Sequence, residues 1–231
     1  MRVLSWNVER LKAGAKAVAG HIALKHADVV ALQEVQINRA DELAKHLKSI
    51  GYQCFRKTGN PGDIATFVFA KASANCICAE TPAGLGEAAK WWREAKTSLF
   101  GISAVHIPPA RLVHRKEFWD AVLKHAEAKA QERHILIGDF NAAQTEFDYE
   151  GGKIADSGNL TKLANLGWID AWRRLHPDTC EYTWYWREKK GFRVDLAWLS
   201  PALAPLLIGA EIDHESRKHS DHAMLIVDLK S

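Results

Sequence analysis

Two hydrophobic periods alternate along this chain, and the changes from one to the other lay out a succession of strands and helices. Residues 3–6 form a short apolar run that reads as a first strand. Residues 15–26 follow as a weak helix with Val18 and Ile22 on one face. Residues 28–32 lack alternation and read as a buried strand. Residues 39–50 place Leu43, Leu47 and Ile50 at helical spacing, with Asn38 as the expected N-cap and Gly51 as the stop. Strands are expected at 66–70 and 100–105, the second followed closely by Pro108-Pro109. Between these two strands Trp91 and Trp92 sit in a polar, Gly- and Ala-rich stretch that reads as a packed loop or helix face. Residues 115–130 predict an amphipathic helix with Trp119, Val122, Leu123, Ala126 and Ala130 inward. A β-branched run at 135–137, a short helix at 160–166 stopped by Gly167, and strands at 194–199 and 223–229 complete the pattern. With no repeat, low-complexity tract or linker, one domain spanning residues 1–231 is the simplest organisation.

The polar residues fall at the ends of those strands. The run Ile135-Leu136-Ile137 stops at Gly138 and then presents Asp139 and Asn141. Alone, that could be an ordinary turn, because Gly, Asp and Asn favour turns. However, the first strand also ends in Asn7 and Glu9, the second in Gln33-Glu34, and the one before Pro108 in His106. Two later strands carry their polar groups at their starts, Asp195 in one and Ser220-Asp221-His222 in the other. For all of these to share one rim, the last two strands must run opposite to the earlier ones, which calls for mixed or antiparallel sheets. Glu9, Glu34, Asp139, Asp195 and Asp221 would then crowd together. Carboxylates packed in a partly dry volume must bind protons or a cation. Oxygen ligands with carboxamide neighbours suit Mg²⁺ or Mn²⁺ rather than zinc. Nearby histidines could donate hydrogen bonds or exchange protons at a phosphorus centre.

Composition narrows the reading only slightly. The 231 residues are 47% hydrophobic and 26% charged, enough for a sizeable core. The net charge of +3 permits an anionic partner without requiring one. The most apolar window, residues 202–210, is too short to span a bilayer and contains Pro205. The chain enters its first strand without an apolar leader, and its four cysteines form no CxxC pair, so a cytoplasmic protein with reduced thiols and no membrane partner is expected.

Trp6-Asn7, Gln33-Glu34, Gly138-Asp139-Phe140-Asn141, Val194-Asp195 and Ser220-Asp221-His222 occur here in the order of the endonuclease/exonuclease/phosphatase superfamily, which the chain resembles over nearly its whole length. Each piece is weak alone, whereas the ordered set is highly specific. The branch it resembles most is that of exonuclease III and the abasic-site endonucleases. The segment Gly167-Trp168-Ile169-Asp170-Ala171-Trp172-Arg173-Arg174-Leu175-His176-Pro177 is similar to their G-x-x-D-x-[FW]-R-x-x-x-P motif, and residues 141–148, 182–184 and 191–195 also look like theirs. The resemblance implies an α/β fold, a four-layer sandwich of two mixed or antiparallel sheets packed face to face with helices outside. It implies a Mg²⁺-dependent phosphodiesterase, with Mn²⁺ able to substitute, acting on DNA as a monomer. Glu34 would be the principal metal ligand, with Asn7, Glu9 and Asp221 close to the ion. Asp139 would orient or deprotonate the attacking water, and Asn141 would hold the phosphate. His222, oriented by Asp195, would contact the phosphate or act as base.

Three departures from that branch bear on substrate choice. His106 stands where the branch carries Tyr and resembles the secreted deoxyribonucleases, where such a histidine serves the leaving group. The loop between Trp184 and Phe192 is short, although Trp184, Phe192 and Val194 could line a pocket for a flipped-out sugar. Glu9 replaces a more usual Asp. Arg193 and Ser220 are further candidates for substrate contact, since basic residues at 187–193 and 217–219 flank the site motifs and suit a phosphate backbone. The basic residues at 111–116, and His21, His26, His46 and His125, read as surface, and most of the nine tryptophans as core. Two other readings stand beside a DNA nuclease. One is a phosphatase or phosphodiesterase for a small or lipid substrate, for which Trp91-Trp92 would be the only apolar docking loop. The other is an inactive nucleic-acid-binding relative, disfavoured because every expected catalytic position holds a competent residue.

Overall fold

The computed structural model describes residues 1–55, 60–109, 112, 114–151, 156–187 and 189–231. In chain order its elements are β1 (Arg2–Asn7), α1 (Ala15–Lys25), β2 (Val29–Gln36), α2 (Ala40–Ser49), β3 (Tyr52–Phe55), β4 (Ile64–Lys71), β5 (Ile77–Ala79), β6 (Trp92–Lys96), β7 (Gly101–His106), α3 (Arg115–Lys129), β8 (His134–Asp139), α4 (Ser157–Asn165), β9 (Ile169–Asp170), α5 (Ala171–Leu175), β10 (Trp184–Trp186), β11 (Lys190–Phe192), β12 (Asp195–Leu199), β13 (Leu207–Asp213) and β14 (Met224–Leu229). One six-stranded sheet has the order β13-β14-β1-β2-β4-β3, a second the order β5-β6-β7-β8-β12-β9, and β10-β11 form a separate hairpin. Both large sheets are mixed. β1 runs parallel to β2 and β7 to β8, while β14 and β12 run antiparallel to β1 and β8. That reversal is the one the polar strand ends required.

Side-chain alternation builds the layers, because successive residues of a strand point to opposite faces. Val3, Val29, Ala31, Val68 and Ala70 of the first sheet meet Ala95, Ile102, Ala104, Ile135, Ile137 and Ala197 of the second. The intervening residues face outward. Leu4, Trp6, Val30, Leu32, Phe67 and Phe69 pack beneath Val18 and Ile22 of α1 and Leu43 and Leu47 of α2. On the other side Trp92, Val105, Leu136, Leu196 and Trp198 pack beneath Phe118, Trp119 and Val122 of α3 and Leu160 and Leu163 of α4. The result is the expected four-layer sandwich. Small residues dominate between the sheets, and the large aromatics lie under the helices. Each fully buried Leu, Ile or Phe contributes about 1.5–3 kcal/mol relative to exposure.

Several local expectations need correction. A 3₁₀ turn at Ile37–Arg39 leads into α2, so Arg39 and not Asn38 occupies the cap. Trp92 begins strand β6 and is fully buried, so the Trp91-Trp92 stretch offers no exposed docking loop. β3, β5, β6, the β10-β11 hairpin and β13 were not expected; all but β13 have five residues or fewer, too short to establish a period. His21 is buried against Asp213 rather than on the surface, and His125 is half-buried. Arg115 is buried too, donating to the carbonyls of Pro108 and Asn141 and to Asp156. Arg111 of that basic stretch lies outside the described residues. Among the described residues no helix is long and apolar enough to cross a membrane.

Candidate active site

The rim where the two sheets meet is built from both of them. In the second sheet the ladder sets three polar residues in a row: His106 pairs with Asp139 in the parallel register, and Asp139 pairs with Asp195 in the antiparallel one. Gly138 makes the close approach possible. Its φ is 148°, and a Cβ there would stand 1.8 Å from the Val105 carbonyl oxygen, so no other residue fits between β7 and β8. In the first sheet Asn7 ends β1, and Glu34 sits where β2 loses register between Leu32 and Val35. Glu34 has a φ of 54°, the geometry of a β-bulge that turns one side chain out of the strand's alternation. The strained conformations of Glu9, Arg10, Leu11 and Asn141, all at positive φ, belong to the loops beside the same rim.

Asn7 joins the two halves. Its Nδ2 donates to Asp139 Oδ2 at 3.1 Å and to Glu34 Oε1 at 3.3 Å, while its Oδ1 accepts from the Glu9 backbone N–H at 3.1 Å. His106 Nε2 lies 3.6 Å from Asp139 Oδ2 and 3.8 Å from Glu34 Oε1. Asp139 also accepts from the Asn141 N–H at 2.9 Å, and Asn141 in turn donates its side-chain N–H to the Ile107 carbonyl. Asp195 Oδ2 is 2.8 Å from His222 Nδ1. Its other oxygen is buried and has no hydrogen-bond partner among the described residues. Thr183 fixes the strand start, its hydroxyl accepting from the N–H groups of Val194 and Asp195.

The electrostatics follow from burial and from mutual charge. Burial pushes the Asp139 carboxyl above the ordinary carboxylate range, and neighbouring Asp195 reinforces this against the pull of His222 and His106. Burial alone would strip the proton from His222, but Asp195, Asp139 and Asp221 outweigh it and push its pKa up to about 10. An imidazole held protonated suits donation to a phosphate oxygen better than proton abstraction. Asp139, whose proton affinity is raised, is the group fitted to accept a proton from water.

The remaining sequence candidates divide by location. Trp184 donates its indole N–H to Asp221 Oδ2 at 3.2 Å, and its ring centroid lies 6.3 Å from His222 and 5.7 Å from Phe192. An aromatic wall therefore stands beside the histidine. Glu9 is at the mouth, its carboxylate held by Lys12 at 2.9 Å. Ser220 is buried, its hydroxyl donating to the Asn7 carbonyl and accepting from the His222 N–H, so it braces the loops at the edge of the cleft beside Asp221. Arg193 is the clearest correction. It is 1% exposed and bridges Asp148 at 2.8 Å and Asp170 at 2.7 Å, which removes it from any substrate surface. Two residues went unnoticed in the sequence, Thr183 and Arg10. Arg10 reaches to 3.9 Å from Glu34 Oε2 from the exposed side. Thr183 lies within the family-like segment 182–184, which gives no sign of its bracing role, and nothing in a period or motif singles out Arg10.

The oxygen donors on this rim fit a hard divalent cation. Two carboxylates from different sheets converge on one amide, with no cysteine among the residues that meet there. Comparison with known proteins agrees with the geometry. The chain is 24% identical to an exodeoxyribonuclease of Streptococcus pneumoniae, with 99% of each chain covered. Its fold superimposes on a 3′ phosphatase, NExo, from Neisseria bound to product DNA hairpin (TM-score 0.85, 21% identity) and on an AP endonuclease from Archaeoglobus fulgidus (TM-score 0.87, 17% identity), each alignment covering both chains completely. The sequence model of the Endonuclease/Exonuclease/phosphatase family matches residues 4–222. From the ordered motifs, the two-sheet rim and this match, the chain belongs to the Endonuclease/Exonuclease/phosphatase family.

Proposed function

We propose that the chain is a Mg²⁺-dependent phosphodiesterase that hydrolyses DNA in the manner of exonuclease III, acting as a monomer. The observation that carries this reading is the bridge from Glu34 through the Asn7 amide to Asp139, beside the Asp195–His222 pair. It holds a cation-binding carboxylate and a water-activating carboxylate on one rim. The names of the similar proteins, an exodeoxyribonuclease, a DNA 3′ phosphatase and an AP endonuclease, support DNA as the substrate class. A cleft of about 350 Å³ next to Asp221, lined by Glu9, Lys12, Arg217, Lys218 and His219 among others, offers cations to a phosphate backbone beside the carboxylates.

Enzymes of this family are metal-dependent. Glu34 would hold the ion with Asp221 and Glu9, and the bound Mg²⁺ supplies Lewis-acid stabilisation of charge on the phosphate. Asp139 takes the proton of the attacking water. His222, kept charged and oriented by Asp195, donates to a phosphate oxygen as negative charge grows there. Asn141 holds the phosphate from the loop after β8. His106 faces the leaving group, and Trp184 with Phe192 walls the sugar side of the site.

A cleavage panel tests the proposal, offering abasic duplex, intact duplex, single strand, 3′-phosphate ends, RNA and a small phosphomonoester with Mg²⁺, Mn²⁺ or EDTA. DNA cleavage that EDTA abolishes and that collapses in Asp139→Asn and Glu34→Ala is expected. Turnover of the small phosphomonoester without DNA cleavage would overturn the DNA reading alone. Activity surviving EDTA and both substitutions would overturn the chemistry.

A further inference from the structure

A second group of metal-ligating side chains lies at the far end of the same sheet. Glu94 on β6, His125 on α3 and His134 on β8 bring one ligand atom each to within 4.8 Å of one another. His134 begins the strand that Asp139 ends, so the cluster stands roughly 16–17 Å from the active-site rim at about 3.3 Å per strand residue. The catalytic chemistry does not use it.

The contacts are those of a site and not of a chance gathering. His125 Nε2 is 3.5 Å from Glu94 Oε1, and His134 Nε2 is 3.8 Å from Glu94 Oε2. A tetrahedral zinc with bonds of about 2.0–2.1 Å separates its ligand atoms by roughly 3.3–3.4 Å, so the ligand atoms, here within 4.8 Å of one another, draw together on binding. Ser103 Oγ on β7 lies between the rings, 3.1 Å from His125 Nε2 and 2.7 Å from His134 Nε2. The surroundings hold each ligand in place. Trp92 Nε1 donates to Glu94 Oε1, and the His134 ring lies against Gly101, where a Cβ would come within 2.4 Å of Nδ1. Glu94 and His134 are almost fully buried, yet both line a cleft of about 390 Å³ that also includes Lys129 and Glu132. Lys129, the nearest cation, is paired with Glu132 at 2.9 Å.

We propose that Glu94, His125 and His134 form a binding site for a transition metal of the zinc type, three protein ligands with a fourth position left to water, which ties helix α3 to strands β6 and β8. Two imidazoles and one carboxylate match zinc and its neighbours and fit Mg²⁺ poorly. In this structure the Ser103 hydroxyl lies within hydrogen-bond distance of both imidazoles and holds them together.

Zinc-binding stoichiometry measured in a large excess of Mg²⁺, in wild type and in His222→Gln, tests the site, because the rim also carries an imidazole beside Asp139 and Asp195 that could take zinc. One Zn²⁺ per chain is expected, retained in Glu34→Ala and lost in His125→Gln and His134→Gln. Co²⁺ in its place should give the strong visible bands of a tetrahedral nitrogen–oxygen site. His125→Gln is the decisive variant, since His125 is the least buried of the three, 13% exposed on a helix, and the substitution should preserve both the far-ultraviolet circular dichroism and Mg²⁺-supported activity. The proposal is overturned if the wild-type chain takes up no Zn²⁺ under these conditions, if His125→Gln binds it undiminished, or if uptake disappears with Glu34→Ala.

Discussion

At the scale of single residues, the site depends on atoms that allow almost no substitution. Gly138 has no room for a methyl group beside the Val105 carbonyl. Gly138→Ala should therefore cost about 3 kcal/mol or more in stability and should displace Asp139, lowering the melting temperature and kcat together. A drop in kcat at unchanged stability would show that the glycine serves the chemistry alone. Asp195→Asn separates orientation from binding. His222 would keep at most a neutral acceptor and lose the largest of the charges that keep it protonated, so kcat should fall roughly 100-fold or more while KM stays nearly constant. The gathering of these positions on one rim was legible in the sequence, because an acid and an amide at the end of a β-branched run are visible without a structure. Arg193 was misread for a complementary reason. A cation near site motifs looks the same in sequence whether it meets a phosphate or, as here, two buried carboxylates.

At the scale of elements, the connections between strands are held by internal charge and not by hydrophobic burial alone. Arg193 and Arg173 both bind Asp148, and Arg193 also binds Asp170, whose other oxygen caps the N-terminus of α5. The ion pairs thus tie the long β8–β12 connection to the strand start at Asp195. Burial would raise the Asp148 carboxyl, but Arg193 and Arg173 hold it down at about 2. Because the folded value lies below the ordinary 3.8, the stabilisation is complete above about pH 4 and lost as pH falls through about 2. Asp148→Asn should cost about 3–5 kcal/mol near neutral pH. Its deficit relative to wild type should shrink in urea titrations as pH approaches 2, and a pH-independent deficit would mean that packing, not charge, is lost. The hairpin permits a milder test. A Cβ on Gly191 would meet the Tyr182 ring at 2.0 Å, so Gly191→Ala should tilt Phe192 and Trp184 away from His222, raising KM several-fold more than it lowers kcat. Such elements escaped the sequence because three-residue strands show no period. The β2 bulge escaped because Glu34 in an apolar strand gives no sign of the positive φ that turns it toward the rim.

At the scale of the whole molecule, the mixed character of the sheets was legible, since the polar ends demanded a common rim and a reversal of the last two strands, whereas the order of strands within each sheet was not. The pairing of one sheet with the other was not, because it depends on which small residues happen to meet across the interface. That interface is the feature with the widest reach. Asn7, Glu34 and His222 ride on one sheet, and His106, Asp139 and Asp195 on the other, so the width of the catalytic gap equals the thickness of the layer between them. Alanines at 31, 70, 95, 104 and 197 act there as shims. Ala104→Leu, deep in the molecule and far from any substrate, should wedge the two jaws apart, lengthen the Asn7–Asp139 bridge and abolish turnover in a chain that still folds. A side chain that never meets the reactants would then be scored, in any activity screen, as part of the cutting edge.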